Sequence, residues 1–131
     1  MSKSELYEKG VAMRQQLRSP EDFEKNAAEY AQSPATQGFI DIVTETVFGA
    51  LWTRPGLDIK TRTLICVVSD TATGRYPELE IHLKFALRQG WTEEELTEIL
   101  YHMLGYVGVP LVRDALFVAE KVFAEDRAKK A

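Results

Sequence analysis

Helix punctuation recurs along this chain, and strand patterning hardly appears. Alternation of apolar and polar residues over four to eight positions, the mark of a half-buried strand, is nearly absent. In its place stands a series of caps. Ser19-Pro20-Glu21-Asp22 sets a capping serine before a proline at the first helical position, with acids facing the positive helix end. Ser33-Pro34 repeats the device before a long segment predicted to run to Trp52. Asp58 caps a predicted helix through Thr73, which Gly74 stops, and Tyr76-Pro77-Glu78 opens another that Gly90 ends. Thr92-Glu93-Glu94-Glu95 is a capping box whose helix is predicted to reach Gly108. A last helix starts near Pro110 and is expected to fray into the charged tail from Glu125 to Lys130. The reading is all-α, one domain over residues 1–131, with about six or seven helices.

The faces of these helices indicate how they pack. Leu96, Ile99, Leu100, Met103, Leu104 and Val107 form one stripe at helical spacing. Leu64 to Val68 is apolar without interruption, as expected of a central helix packed on several sides. With 131 residues, the chain buries roughly two-thirds of its unfolded surface, enough for one modest core.

Charge and residue counts then exclude several functions. Sixteen basic against twenty acidic side chains give a net charge of -4, the wrong sign for a typical nucleic-acid binder. One cysteine, Cys66, leaves no internal disulfide, no CxxC pair and no cysteine-rich zinc site, and is expected to be a small core residue. Two histidines, His82 and His102, supply a metal cage thinly, so no metal is expected. The mixed-charge stretch from Met1 to Lys9 does not read as a signal peptide. The most apolar run, Met103 to Val112, is broken by Gly105, Gly108 and Pro110 and falls short of the roughly 18 to 20 residues of a membrane span. A cytoplasmic protein with a free thiol is the expectation.

Three places could carry chemistry. In Trp52-Thr53-Arg54-Pro55-Gly56-Leu57, a tight loop gives the Arg54 guanidinium a defined exit direction. Arg62 follows one turn into the next helix, where its spacing from Asp58 predicts an ion pair of a few tenths of a kcal/mol. In Glu78-Leu79-Glu80-Ile81-His82, Glu78 and His82 share a helix face; the pair suits a histidine tuned as general acid or base, and equally a surface pair. At Tyr106-Val107-Gly108-Val109-Pro110 the backbone opens, either as a plain stop and start or as free amides aimed at an anion.

Taken in order, these segments resemble the carboxymuconolactone decarboxylase family, within the alkylhydroperoxidase-D-like fold. The matching pieces are Tyr7-x-x-Gly10-x-x-Met13-Arg14, Phe48 to Leu57, Lys60-Thr61-Arg62-Thr63-Leu64, Glu78 to His82, the Gly90/Thr92 boundary and Tyr106 to Pro110. The resemblance implies an all-α subunit of a homo-oligomer, a hexamer or trimer. The related alkylhydroperoxidase D branch places a CxxC ahead of its histidine; here those positions are Arg75 and Glu78, so thiol peroxidase chemistry is absent. The decarboxylase branch converts 4-carboxymuconolactone to 3-oxoadipate enol-lactone and CO2, a step of the β-ketoadipate pathway, without metal or organic cofactor. Carried onto this sequence, it implies His82 as proton donor with Glu78 orienting it. It implies Arg54 and Arg62 on the carboxylates of a small anionic substrate, and Tyr106 or the amides at Gly108 on the developing oxyanion. The family's decarboxylases carry an acid after the glycine of Gly-x-x-Trp, where this chain has Ala50. That departure keeps two alternatives open: isomerisation or proton transfer on another small acid, and a non-catalytic oligomeric binding protein.

Overall fold

The computed structural model describes residues 4–131; Met1, Ser2 and Lys3 of the stretch read as free of a signal peptide lie outside them. The described residues form helices and no strands. They fall into two compact units, one ending at Asp58 and one running from Ile59 to Ala131.

The first unit holds α1 (Glu5–Leu17), α2 (Pro20–Tyr30), α3 (Pro34–Val43) and a π-helix (Thr44–Leu51). The Ser19-Pro20 and Ser33-Pro34 caps form as predicted: each serine hydroxyl accepts from a backbone amide three residues on. α1 begins the same way, Ser4 accepting from Tyr7 N at 3.0 Å. The long segment predicted from Pro34 to Trp52 changes pitch at Thr44, and Trp52 N donates to Val47 O five residues back at 2.9 Å. The wide turns lie where this segment meets α1 almost backbone to backbone. A Cβ added at Gly10 would stand 1.9 Å from the Thr44 carbonyl oxygen, and one at Gly49 would stand 2.1 Å from that of Leu6. Arg14 is buried alongside, donating to Thr44 Oγ1 at 3.3 Å and Asn26 Oδ1 at 2.6 Å with its guanidinium over the Phe23 ring.

The second unit holds α4 (Ile59–Thr73), α5 (Tyr76–Arg88), α6 (Glu93–His102), the single turn α7 (Leu104–Val107) and α8 (Val109–Lys130). Its core joins Val67 of α4, Leu79 and Leu83 of α5, Leu96 and Leu100 of α6, and Val112, Ala119 and Phe123 of α8. Two glycine turns set the helix pairs. Gly74 adopts φ +69°, with Gly74 N donating to Thr71 O at 3.3 Å and Arg75 N to Asp70 O at 2.9 Å, the paired hydrogen bonds of a Schellman stop. Gly90, at φ +97°, repeats it with Trp91 N on Ala86 O at 3.0 Å. The Thr92–Glu95 capping box closes in both directions at 3.0 Å.

Three further expectations shift. The helix from Thr92 breaks at Met103, leaving α7 as a separate turn before Gly108, and Leu104 of the predicted buried stripe is exposed. Within α4, Val67 is fully buried but Ile65 is exposed, so its apolar run is not enclosed on every side. The tail does not fray. α8 continues to Lys130, where Arg127 bridges Glu93 and Glu120 and Lys130 pairs with Asp126 at 2.9 Å.

Candidate active site

His82 stands two turns into α5, on the flank next to the buried stripe of Leu79, Leu83 and Ala86. Its side chain is 21% exposed, and the Phe85 ring meets it edge-on at 5.3 Å. The other helix of this hairpin supplies its partner. Asp70 belongs to the face of α4 that also buries Thr63, Val67 and Thr71, and is itself only 5% exposed. Its Oδ2 meets His82 Nδ1 in a short hydrogen bond. The Schellman stop at Gly74 turns the chain back so that these residues, twelve apart in sequence, face each other.

The carboxylate on the ring is therefore Asp70 and not Glu78, which the spacing on α5 had offered. Glu78 lies exposed in the first turn of α5, where the positive helix end favours an acid. Asp70 did leave a trace in the sequence: an acid at helical spacing from Thr63 and Val67, on a stripe that otherwise enters the core. Burying a carboxylate is costly unless a donor meets it, and His82 is that donor.

Arg62, Cys66 and Asp70 succeed one another at four-residue spacing on α4, so they share a side of the helix. At 1.5 Å rise per residue, Arg62 lies about 12 Å along the axis from Asp70. Cys66 between them is half-buried; burial first, and then the Asp70 charge, push its thiol up to about 11. A neutral thiol of that kind is a poor nucleophile.

The remaining expected residues are carried by other elements of the chain. Arg54 is in the loop that closes the first unit, exposed, and Ala50 is exposed within the π-helix. Gly108 adopts φ +95° as it separates α7 from α8. Tyr106 is 79% exposed, its ring 5.3 Å from that of His102. Both line a cavity of about 510 Å³ together with Glu98, Val68, Ala72 and Met103, and His82 is not on its walls. The second unit thus brings Asp70 to His82 but gathers Tyr106 with the other histidine. Among the described residues, no three His, Cys, Asp or Glu side chains come together as a metal site, and no helix is long and apolar enough to cross a membrane.

The sequence profile of the carboxymuconolactone decarboxylase family matches residues 37–121, which span the π-helix, α4, the Asp70–His82 pair and most of α8. The chain belongs to the carboxymuconolactone decarboxylase family. Among its relatives is a 4-carboxymuconolactone decarboxylase from Acinetobacter baylyi, 29% identical over 95% of this chain and 92% of the relative. A nitrosuccinic acid decarboxylase from Metarhizium robertsii is 32% identical over 88% of this chain and 80% of the relative. An uncharacterised 15.0 kDa protein from Paracoccus denitrificans is 36% identical over 63% of each chain. Membership of the carboxymuconolactone decarboxylase family, with two relatives named as decarboxylases, supports a decarboxylase-type activity at the level of the family.

Proposed function

We propose that this protein removes CO2 from a small carboxylated lactone, 4-carboxymuconolactone being the first candidate, with His82 as the proton donor. The observation that carries the reading is His82 itself, held half-buried between the Asp70 carboxylate and the Phe85 ring edge in a chain of this family. The carbon–carbon bond to the departing carboxylate breaks, and its electron pair moves through the ring double bond to the lactone carbonyl. The resulting dienolate takes a proton from His82 at the carbon beside that carbonyl, giving the enol-lactone. A positioned acid of this kind contributes about 100-fold to 10,000-fold in rate.

Arg62 is proposed to grip a substrate carboxylate, for which the forked guanidinium is suited, and the family resemblance assigns Arg54 the same task. The family resemblance assigns the dienolate oxygen to Tyr106 or the amides at Gly108, although in this chain Tyr106 shares its cavity with His102 and not with His82. The nitrosuccinic acid decarboxylase relative favours a second substrate class. A nitro group beside the scissile carboxylate is an electron sink equivalent to the lactone carbonyl, and the same proton donor serves both.

Purified protein supplied with each acid is expected to release CO2 from one of them. His82→Ala, checked for folding by circular dichroism, is expected to lower kcat about 100-fold or more. No CO2 from 4-carboxymuconolactone would reject that substrate, and unchanged kinetics in His82→Ala would remove the histidine from the mechanism.

A further inference from the structure

The geometry points to Asp70 as the positioning residue of the site: its buried carboxylate holds the Nδ1 proton of His82 and leaves Nε2 as the atom that exchanges a proton with substrate. The role assigned to His82 in catalysis rests on the decarboxylase reading above; the control that Asp70 exerts on the ring does not.

An imidazole has two nitrogens, and a proton donor works only if the right one faces the substrate. In free neutral imidazole of the histidine type the proton favours Nε2. A carboxylate is an acceptor only, so the short contact from Asp70 Oδ2 requires a hydrogen on Nδ1. Asp70 is 5% exposed and α4 carries it on the core-facing side, so it cannot swing to water without repacking the hairpin. The Phe85 ring, itself 2% exposed, abuts the imidazole at an interplanar angle of 69° and limits its tilt. Two contacts thus fix the ring: one sets its proton, the other its plane.

The proton balance follows. As imidazolium, His82 carries hydrogens on both nitrogens. The Nε2 hydrogen goes to the substrate carbanion carbon, and the ring is left neutral with its other hydrogen still on Nδ1, donated to Asp70. Water then returns a proton to Nε2 before the next turnover. Asp70 remains a carboxylate throughout and stabilises the charged ring that begins each cycle.

The second acidic residue on offer, Glu78, cannot substitute. It projects from the exposed first turn of α5, whereas Nδ1 is already engaged from α4. Cys66, one turn from Asp70, provides an independent gauge, because the Asp70 charge contributes to holding its thiol protonated.

The test is the ring nitrogen spectrum of uniformly 15N-labelled protein. The two histidines can be assigned with His102→Gln. Neutral His82 is expected as the Nδ1–H tautomer in the native protein. It should revert to Nε2–H in Asp70→Asn, where an amide hydrogen can be offered to Nδ1. The thiol titration of Cys66 should move to lower pH in the same variant. An Nε2–H tautomer in the native protein, or an unchanged tautomer in Asp70→Asn, would overturn the inference; if Asp70→Asn does not fold, the native spectrum decides. With a substrate that turns over, Asp70→Asn should lower kcat about 100-fold with KM changed by no more than a few-fold, and Asp70→Glu should restore part of it. A loss confined to KM would overturn the positioning role. If neither acid is decarboxylated while the tautomer behaves as described, the proposed reaction fails and the control of His82 by Asp70 stands.

Discussion

The lone thiol shows how one half-buried residue reports on its neighbours. Cys66 keeps its proton up to about 11 in the fold, against an ordinary value of 9.0, because burial and then the Asp70 carboxylate disfavour thiolate. Alkylation by iodoacetamide at pH 7 to 8 is therefore expected to be slow in native protein and to accelerate only toward pH 11, with full reactivity in urea. The folded state binds the proton more tightly than the unfolded one. Its contribution is complete below pH 9 and is lost as pH rises toward 11, so urea midpoints should fall over that window. Rapid labelling at pH 7 would contradict this environment. At this scale the sequence was legible where a residue type was rare. His82 stood out as one of two histidines, and Cys66 as the only cysteine. Asp70 was one acid among twenty, and which of them enters the core depends on helix packing, which composition does not carry.

The helices were readable from their ends. Ser19, Ser33 and Thr92 each cap as their spacing predicts, since a cap is a contact between residues two or three apart. The π-helix was not readable. Its pitch is tied to the close approach of α1, and the residues that permit it, Gly10 and Gly49, are 39 positions apart. Gly10→Ala is expected to cost about 3 kcal/mol, because the new methyl meets a backbone oxygen that cannot rotate away. Gly38, in α3, has open space where a Cβ would go, so Gly38→Ala should instead stabilise by about 0.5 to 1 kcal/mol. Urea denaturation of the two variants checks both signs, and a tolerant Gly10→Ala would refute the backbone contact. The break at Met103 was missed for a related reason: the apolar stripe continues in sequence through Val107 although the helix does not.

At the scale of the whole chain, order proved more informative than any single motif. Each segment behind the family resemblance is short, but they occur in sequence from Tyr7 to Pro110, and the family profile spans residues 37–121. Exposed apolar side chains add an expectation for assembly. Phe39, Ile42 and Leu51 in the first unit, and Val109 and Phe117 in the second, leave large hydrophobic groups in water, Phe117 at 72% exposure. Self-association is expected by sedimentation velocity at micromolar protein, and Phe117→Glu should shift the distribution toward the monomer. A single monomer boundary for the native chain would count against it. The hairpin that presents Asp70 to His82 has a consequence for how such a site arises. The two are only twelve positions apart, so closing that loop costs little chain entropy and requires no distant segment to be in place. The Asp70–His82 contact can form locally and early, before the more distant parts of the chain are in place.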